Sequence, residues 1–299
     1  MILYPEESTI DFSKMEYIPE CKDDFPVVCY GYDLHSRMEP WHWHDEFEAD
    51  IIESGTAVLK LEGEEYHLKS GDGYLINSET LHSLSSLDNS HCKIKSMIFR
   101  KDVIGGKPGS LFWTKYVSPV TERRDFYGWV LKKDLTWQKD ILDSLKKIFS
   151  LFESEEDDFE IKTRELLSKI LSVTVKNLPP ENPENKKTTQ NNISKIKVML
   201  LYIWQNYSKA ITLSDIANAG AASKNDCMLC FAETVGTSPI QYLKNYRLEK
   251  AAEYLTFSEK KVSEIAELCG FQDKSYFSKS FFQKFGQKPL DYRKTQRNN

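Results

Sequence analysis

The stretch KVSEIAELCGFQDKSYFSKSFFQKFGQKPLDYR, residues 261–293, decides the architecture of the C-terminal third of this 299-residue chain, because an earlier stretch repeats its pattern. Residues 211–243, ITLSDIANAGAASKNDCMLCFAETVGTSPIQYL, align with it without a gap. Each copy has Ser-x-Ile-Ala near its start, then a turn that contains glycine, and later a glycine followed three residues on by proline. This pattern predicts two helix-turn-helix units joined by a long helix from 239 to about 256.

In each unit, the spacing of apolar residues assigns an inner and an outer face to the second helix. Projected at about 100° per residue, the helix at 273–285 turns Phe277, Ser280 and Phe281 inward, and we place Tyr276 among these core residues. Its outer face carries Lys274, Ser275, Ser278 and Lys279. The helix at 223–234 turns Cys227, Cys230 and Phe231 inward, and its outer face carries Lys224, Asn225, Met228 and Leu229.

The two outer faces differ in what they can read in a major groove. Lysine and serine can hydrogen-bond to base edges, whereas methionine and leucine offer only apolar contact to thymine methyl groups. Asn225 can still pair with adenine, so we expect reduced readout from the first unit and stronger readout from the second. Two residues temper this expectation: the aromatic Phe282, and Asp226, which adds a negative charge beside the groove.

These two units resemble the DNA-binding domain of the AraC/XylS family over residues 193–296. The residues that match the pattern of its signature are Ala266, Gly270, Phe271, Phe277, Phe281, Phe285, Gly286 and Pro289. The resemblance implies a sequence-specific transcription regulator, and not an enzyme, whose DNA-facing positions are the two outer faces. It also implies double-stranded DNA, a small-molecule effector, a second copy of the chain and RNA polymerase as partners.

Charge and composition divide the chain in two. The net charge of −5 hides 16 Lys and Arg against 10 Asp and Glu in residues 193–299, and 24 against 35 in residues 1–192. A basic part joined to an acidic part is expected when only one of them meets phosphates. Residues 178–192, LPPENPENKKTTQNN, have the composition of an exposed linker.

The N-terminal part is expected to form a cupin-like β-barrel over residues 1–136. Six short segments separated by turn residues predict strands, at 25–34, 46–54, 56–63, 64–71, 73–77 and 92–100. Residues 137–177 then predict two amphipathic helices. Either both apolar stripes pack on the barrel, or one of them forms a dimer seam, for which Leu167 and Leu171 are the candidates. The predicted fold class is therefore α+β with two domains, a barrel with a helical dimerisation segment and an all-α double helix-turn-helix.

A cluster of histidines marks the candidate site of the barrel. His42, His44 and Glu48, followed by Gly55, resemble the first cupin motif, and His82 falls in the region of the second. Histidines at alternate positions of a strand point the same way, so the set could hold Mn, Fe, Ni or Zn. A polar effector pocket, a metal site and histidines satisfied within the barrel wall remain open as alternatives.

The resemblance favours an effector without a metal cofactor. The candidate effector-binding residues are Tyr30, Arg37, Trp41, His42, Trp43, His44, Glu48 and His82. Aromatic rings beside hydrogen-bonding groups suit a small polar molecule such as a sugar. The competing class is a metal-dependent cupin enzyme, an isomerase or oxygenase, with DNA binding as a secondary role.

The remaining features predict a cytoplasmic protein. No stretch approaches the roughly 20 apolar residues of a membrane helix, and the start MILYPEESTIDF has no leader pattern. Six cysteines in a chain of this length do not form a disulfide framework. Cys227 and Cys230, the one close pair, are interpreted as buried apolar residues.

Overall fold

The computed structural model describes residues 24–34, 38–61, 63–87, 90–154, 156–181 and 188–298. The chain divides into two compact units, Met1–Gln190 and Asn191–Asn299. The candidate effector residue Arg37 lies outside the described residues. A helix begins at Thr188, inside the predicted linker 178–192; threonine and asparagine are also favoured where a helix begins.

The described part of the N-terminal unit is built on two antiparallel sheets, which confirms the predicted β-rich domain. Its strands are β1 (Val27–Asp33), β2 (Met38–His42), β3 (Phe47–Ser54), β4 (Thr56–Leu61), β5 (Glu64–Lys69), β6 (Gly73–Ile76), β7 (His82–Ser86), β8 (Lys93–Phe99) and β9 (Gly128–Leu131). The first sheet has the order β1-β8-β3-β6-β9, and the second has the order β2-β7-β4-β5.

Three of these strands, β2, β7 and β9, are not among the predicted ones. In β2 the register shifts between Glu39 and His42, and Pro40 cannot donate to the ladder, so the usual alternation is lost. In β7 the sequence HSLSS contains three serines, which conceal its apolar face. Two of the candidate site residues, His42 and His82, lie on these strands.

Helices cover the outer face of the first sheet. They are α1 (Asp102–Gly105), α2 (Ser118–Thr121), α3 (Thr136–Ser154) and α4 (Phe159–Asn177), with a π-helical turn at Trp113–Val117. Helices α3 and α4 pack on each other, and α3 also contacts β3 and β9. One apolar core joins both helices to Phe47, Ala49 and Ile51 of β3.

This packing decides between the two interpretations of the amphipathic helices. Leu167 and Leu171 are fully buried in the core shared with the barrel. The stripes therefore pack within their own chain, and the prediction of a dimer seam through Leu167 and Leu171 is wrong. The sequence could not show this, because an apolar stripe looks the same whether it faces a sheet or a second subunit.

The inner faces of the two sheets enclose a lumen. Its apolar part contains Ile52 and Tyr74 from the first sheet and Leu59 and Leu84 from the second. Successive side chains of a strand alternate between faces, so Glu48 and Asp50 share the inner face of β3 with Ile52. Strand β3 thus carries apolar residues toward the helices and carboxyl groups toward the lumen.

The C-terminal unit confirms both predicted helix-turn-helix units and the long helix between them. Its helices are α5 (Thr188–Asn206), α6 (Leu213–Ala219), α7 (Lys224–Cys230), α8 (Pro239–Phe257), α9 (Val262–Leu268), α10 (Lys274–Phe285) and α11 (Pro289–Asn298). A π-helical turn, Phe231–Val235, extends α7. Side-chain oxygens of Thr212, Ser223, Ser238 and Asp273 cap α6, α7, α8 and α10.

The turn between α9 and α10 depends on a glycine. Gly270 has a φ of +78°, and a Cβ atom there would lie 2.8 Å from the carbonyl oxygen of Tyr207. The Nε atom of Arg247 donates to the same oxygen at 2.7 Å. This turn therefore packs directly against the chain that follows α5, and it fixes how α10 is presented. Among the described residues, no helix has both the length and the apolar character that crossing a membrane requires.

Candidate functional site

Four buried side chains meet at one end of the lumen. His42 ends β2 and pairs with His82, the first residue of β7, while Glu48 comes from β3 of the opposite sheet. His44 lies in the turn before β3. It therefore joins the cluster because the chain crosses between the sheets there, and not because it alternates with His42 along one strand.

The polar atoms of this histidine–glutamate cluster are close together. The Nε2 atom of His44 lies 3.0 Å from Oε2 of Glu48, and the Nε2 atom of His82 lies 3.1 Å from the same oxygen. One potential ligand atom from each of His42, His44, Glu48 and His82 lies within 4.8 Å of the others. The sequence prediction that these four residues form one set agrees with this placement.

The other ring nitrogen of each histidine faces a backbone carbonyl. The distances from Nδ1 are 2.9 Å for His42 to Pro40, 3.2 Å for His44 to Glu46 and 2.8 Å for His82 to Thr80. A carbonyl accepts only, so each Nδ1 donates to it and the Nε2 atom is left to face the cluster. A carboxylate oxygen also accepts only, so an Nε2 atom at hydrogen-bond distance from Glu48 must carry a proton, or a cation must lie between the two atoms.

Electrostatics distinguish the members of the cluster. Burial and the adjacent His82 hold the pKa of His42 well below its usual value, so this ring is neutral at neutral pH. Burial opposes the charge of Glu48, but His82 and the hydrogen bonds with His44 and His82 hold its pKa well below the usual range. The cluster therefore presents a buried carboxylate among imidazole nitrogens.

A second polar layer lies two residues beyond Glu48 along β3, and of its residues only Tyr30 is a candidate from the sequence. The hydroxyl of Tyr74 donates to Oδ2 of Asp50 at 2.5 Å and lies 3.3 Å from Oε1 of Glu48. Burial and the neighbouring Glu48 raise the pKa of Asp50 well above its usual value, and they raise that of Glu39 to about 8. The spacing Glu48-x-Asp50 was the available signal, because alternate residues of a strand share a face.

The three aromatic candidates for effector binding, Tyr30, Trp41 and Trp43, lie at different places in the barrel. Tyr30 pairs across the sheet with Ser96, which in turn pairs with Asp50, so it belongs to the second polar layer. Trp41 and Trp43 flank His42 and are both buried. Their role as effector-binding residues stays a prediction.

The candidate DNA-binding residues form two exposed surfaces. On α10, Lys274, Ser275, Ser278 and Lys279 are exposed; on α7, Lys224, Asn225, Met228 and Leu229 are exposed. Lys274 is ion-paired with Glu267 at 3.0 Å. Asp226 supports the start of α7, since its carboxylate accepts from the Ser223 hydroxyl and its backbone N–H donates to that hydroxyl.

One residue of α10 departs from the prediction. Tyr276 was assigned to the core with Phe277 and Phe281, but its side chain is 51% exposed, whereas theirs are fully buried. Its ring is tilted by 50° relative to that of Phe271, with 6.4 Å between the centroids. The assignment is wrong because the burial of a residue at the margin of a helical face depends on which elements pack beside it. A helical projection of the sequence carries no information about those neighbours.

Comparison with known proteins matches both units. The family described as AraC-like ligand binding domain matches residues 26–171, and the family described as helix-turn-helix domain matches residues 216–295. The HTH-type transcriptional regulator YdeC of Bacillus subtilis is 29% identical over 91% of this chain and 92% of its own length. The HTH-type transcriptional activator RhaS of Klebsiella pneumoniae is 25% identical over 85% of this chain and 87% of its own.

Among solved structures, ToxT of Vibrio cholerae with a bound unsaturated fatty acid has a TM-score of 0.44 and 16% identity, covering 89% of this chain and 94% of that one. The family matches and the two curated relatives extend over both units of the chain. The chain therefore belongs to the AraC family of DNA-binding transcription regulators, with the barrel as its effector-binding domain.

Proposed function

We propose that the barrel binds a small polar effector at His42, His44, Glu48 and His82, and that occupancy of this site controls DNA binding. The observation that supports this is the convergence of four buried polar side chains on one point of a lumen that also has an apolar part. Burial of such groups is unfavourable unless they are satisfied. An apolar enclosure with a few convergent polar groups is the usual composition of a small-molecule site.

A sugar is one effector class that this site suits. Imidazole and carboxylate groups accept hydrogen bonds from hydroxyl groups, and Tyr30 in the second polar layer offers an aromatic ring. We propose sensing, and not catalysis, because the barrel is joined to two complete helix-turn-helix units.

A divalent metal ion is the second candidate occupant, and the donor set of the cluster fits one. The Nδ1 atoms face carbonyl oxygens, as is usual for metal-binding histidines, and the Nε2 atoms of His44 and His82 converge on one carboxylate oxygen. His42, His44, Glu48 and His82 would hold the ion. It would neutralise Glu48 and offer an open coordination position to an oxygen of the effector.

On the DNA side, we propose that α10 reads bases and that α7 contributes less. Lys279 is exposed and forms no ion pair with the described residues, so its ammonium group is available to a guanine or a phosphate. The position aligned with it in the first unit is Leu229, which cannot hydrogen-bond. This contrast between equivalent positions supports unequal readout.

We also propose that the regulator acts as a homodimer on paired half-sites and contacts RNA polymerase. The burial of Leu167 and Leu171 excludes them from the seam. The dimer must therefore use other surfaces, and light scattering at micromolar concentration tests whether it forms.

The experiment for the effector site combines a ligand panel with one variant. Thermal shift of the full chain detects binding, since a ligand at about 100 times its dissociation constant adds about 2.7 kcal/mol of stability. Glu48→Gln should abolish the response to a ligand found in this way and leave DNA affinity intact. Equal loss of DNA binding by the folded variant would contradict a separate sensor.

Metal analysis of the purified full chain tests the second candidate. About one equivalent of Mn, Fe, Ni or Zn that is lost in His82→Ala supports the ion. Metal-free protein that still binds its effector assigns the cluster to the effector alone.

A further inference from the structure

The second polar layer of the lumen forms a row across the first sheet. Tyr30 pairs with Ser96, Ser96 with Asp50, and Asp50 with Tyr74. Because paired residues project from the same face, all four polar side chains line the lumen side by side. A row of this kind lies next to Glu48 but is distinct from the histidine–glutamate cluster.

The carboxyl group of Asp50 is incompletely satisfied. Its side chain is fully buried, and Tyr74 donates to Oδ2. The other oxygen, Oδ1, has no hydrogen-bond partner among the described residues. Buried polar atoms are nearly always paired, so Oδ1 can accept a hydrogen bond from a donor that enters the lumen.

Carboxyl groups gather on the inner faces of the two sheets. Glu39 of β2 pairs with Leu84, a member of the apolar core between the sheets, and Glu48 and Asp50 share the inner face of β3, so three carboxyl groups face the lumen. On the described strands, no lysine or arginine shares the inner face. The nearest candidates turn outward, because Lys95 pairs with Glu53 and Glu153, and Lys60 pairs with Glu65.

We propose that the effector carries a protonated amine, which Asp50 and Glu39 receive inside the lumen. The inference rests on the proposed effector site and names the chemical class of its ligand. An ammonium group has three donors and no acceptor, so it can satisfy Oδ1 of Asp50 and stabilise the ionised form of both carboxyl groups. A carboxylate or phosphate ligand would instead add a negative charge to a buried acidic wall.

The test uses matched triplets of small molecules that differ in one group. These are ethanolamine, ethylene glycol and glycolate, and glucosamine, glucose and glucuronate, each titrated into the full chain and followed by thermal shift. The amine of at least one triplet should bind about ten- to a hundredfold more tightly than its hydroxyl analogue, the gain expected from a hydrogen bond to a charged group.

Two variants and one control assign that preference to the lumen. Asp50→Asn and Glu39→Gln should each remove most of the difference between amine and hydroxyl. Glu65→Gln, which removes the same charge from the exposed strand β5, should retain it. Because Asp50 is deeply buried, Glu39→Gln provides the second measurement if Asp50→Asn does not fold.

The results distinguish failure of the amine inference from failure of the proposed effector site. Stabilisation by the hydroxyl or carboxylate member as strong as by the amine overturns the amine inference and leaves the effector site standing. A preference for the amine that survives in a folded Asp50→Asn and in Glu39→Gln overturns it as well. No stabilisation of the wild type by any member of either triplet counts against both.

Discussion

Replacing Lys279 with alanine should weaken specific DNA binding by about 1–3 kcal/mol, the range for loss of one good contact to a base. This is roughly a 5- to 150-fold increase in Kd. Lys279 is exposed on α10 and has no ion pair with the described residues, so the substitution removes a free ammonium group and little packing. Substitution of Lys274 is a less direct probe, because it would also remove the ion pair between Lys274 and Glu267.

The chain offers a matched control at the aligned position of the other unit. Leu229 on α7 is 55% exposed, so Leu229→Ala removes an apolar group at the equivalent place. It should change the free energy of DNA binding by less than about 0.5 kcal/mol, as for an ordinary surface substitution. Met228→Ala, at a position 41% exposed, should behave in the same way.

The assay is selection of binding sites from randomised DNA, followed by fluorescence anisotropy at several salt concentrations. If Lys279 reads a base, one position of the selected site loses its preference in the variant. If it contacts only a phosphate, binding weakens for all sequences, and the slope of log Kd against log salt concentration falls by about 0.9. Two equally informative sequence boxes, or an equal loss in Leu229→Ala, would refute unequal readout.

Three further substitutions or modifications test the fold around the two sites. Gly270→Ala should destabilise the α9–α10 turn by about 1–3 kcal/mol, because of its positive φ and the nearby carbonyl oxygen of Tyr207; amide hydrogen exchange should rise in α10 and stay unchanged in the barrel. Leu171→Ala should lower the free energy of unfolding of the N-terminal unit by about 2–5 kcal/mol, and light scattering should give the same oligomeric state for the variant and the wild type. A variant that dissociates but is as stable as the wild type would instead support a dimer seam at Leu171. Burial raises the pKa of Cys227 to about 11 and of Cys269 to about 12, so both thiols should resist alkylation near neutral pH until the protein is unfolded, and rapid labelling of native protein would contradict their burial.

The C-terminal unit was predictable because its determinants are local. Asp273 accepts from the backbone N–H groups of Ser275 and Tyr276, and Gly286 ends α10 with a φ of +70°. Caps of this kind and a helical repeat of apolar residues can be recognised within a few residues of sequence. Tyr276 was misplaced because its exposure depends on tertiary neighbours.

The barrel was less predictable because its site depends on pairing between distant strands. His82 reaches Glu48 across 34 residues of chain, and the strand that carries it has no clear alternation. The motif indicated that His42, His44, Glu48 and His82 belong together, but not the geometry that unites them. Asp50 alternates with Glu48 along β3 and could have been placed on the same face, but Tyr74 could not be placed beside it until the strand register was known.

Strand β3 links the candidate ligand site to the helices of the same unit. Its inner face carries Glu48 and Asp50, and its outer face packs Phe47, Ala49 and Ile51 into the core shared with α3 and α4. An occupant held by His42 and His82 of one sheet and Glu48 of the other would fix the spacing between the sheets at this end of the lumen. Close-packed cores transmit such shifts because they deform little. A ligand can change the conformation only by binding one arrangement more tightly than another, and the histidine–glutamate cluster, divided between the two sheets, supplies contacts that depend on that arrangement.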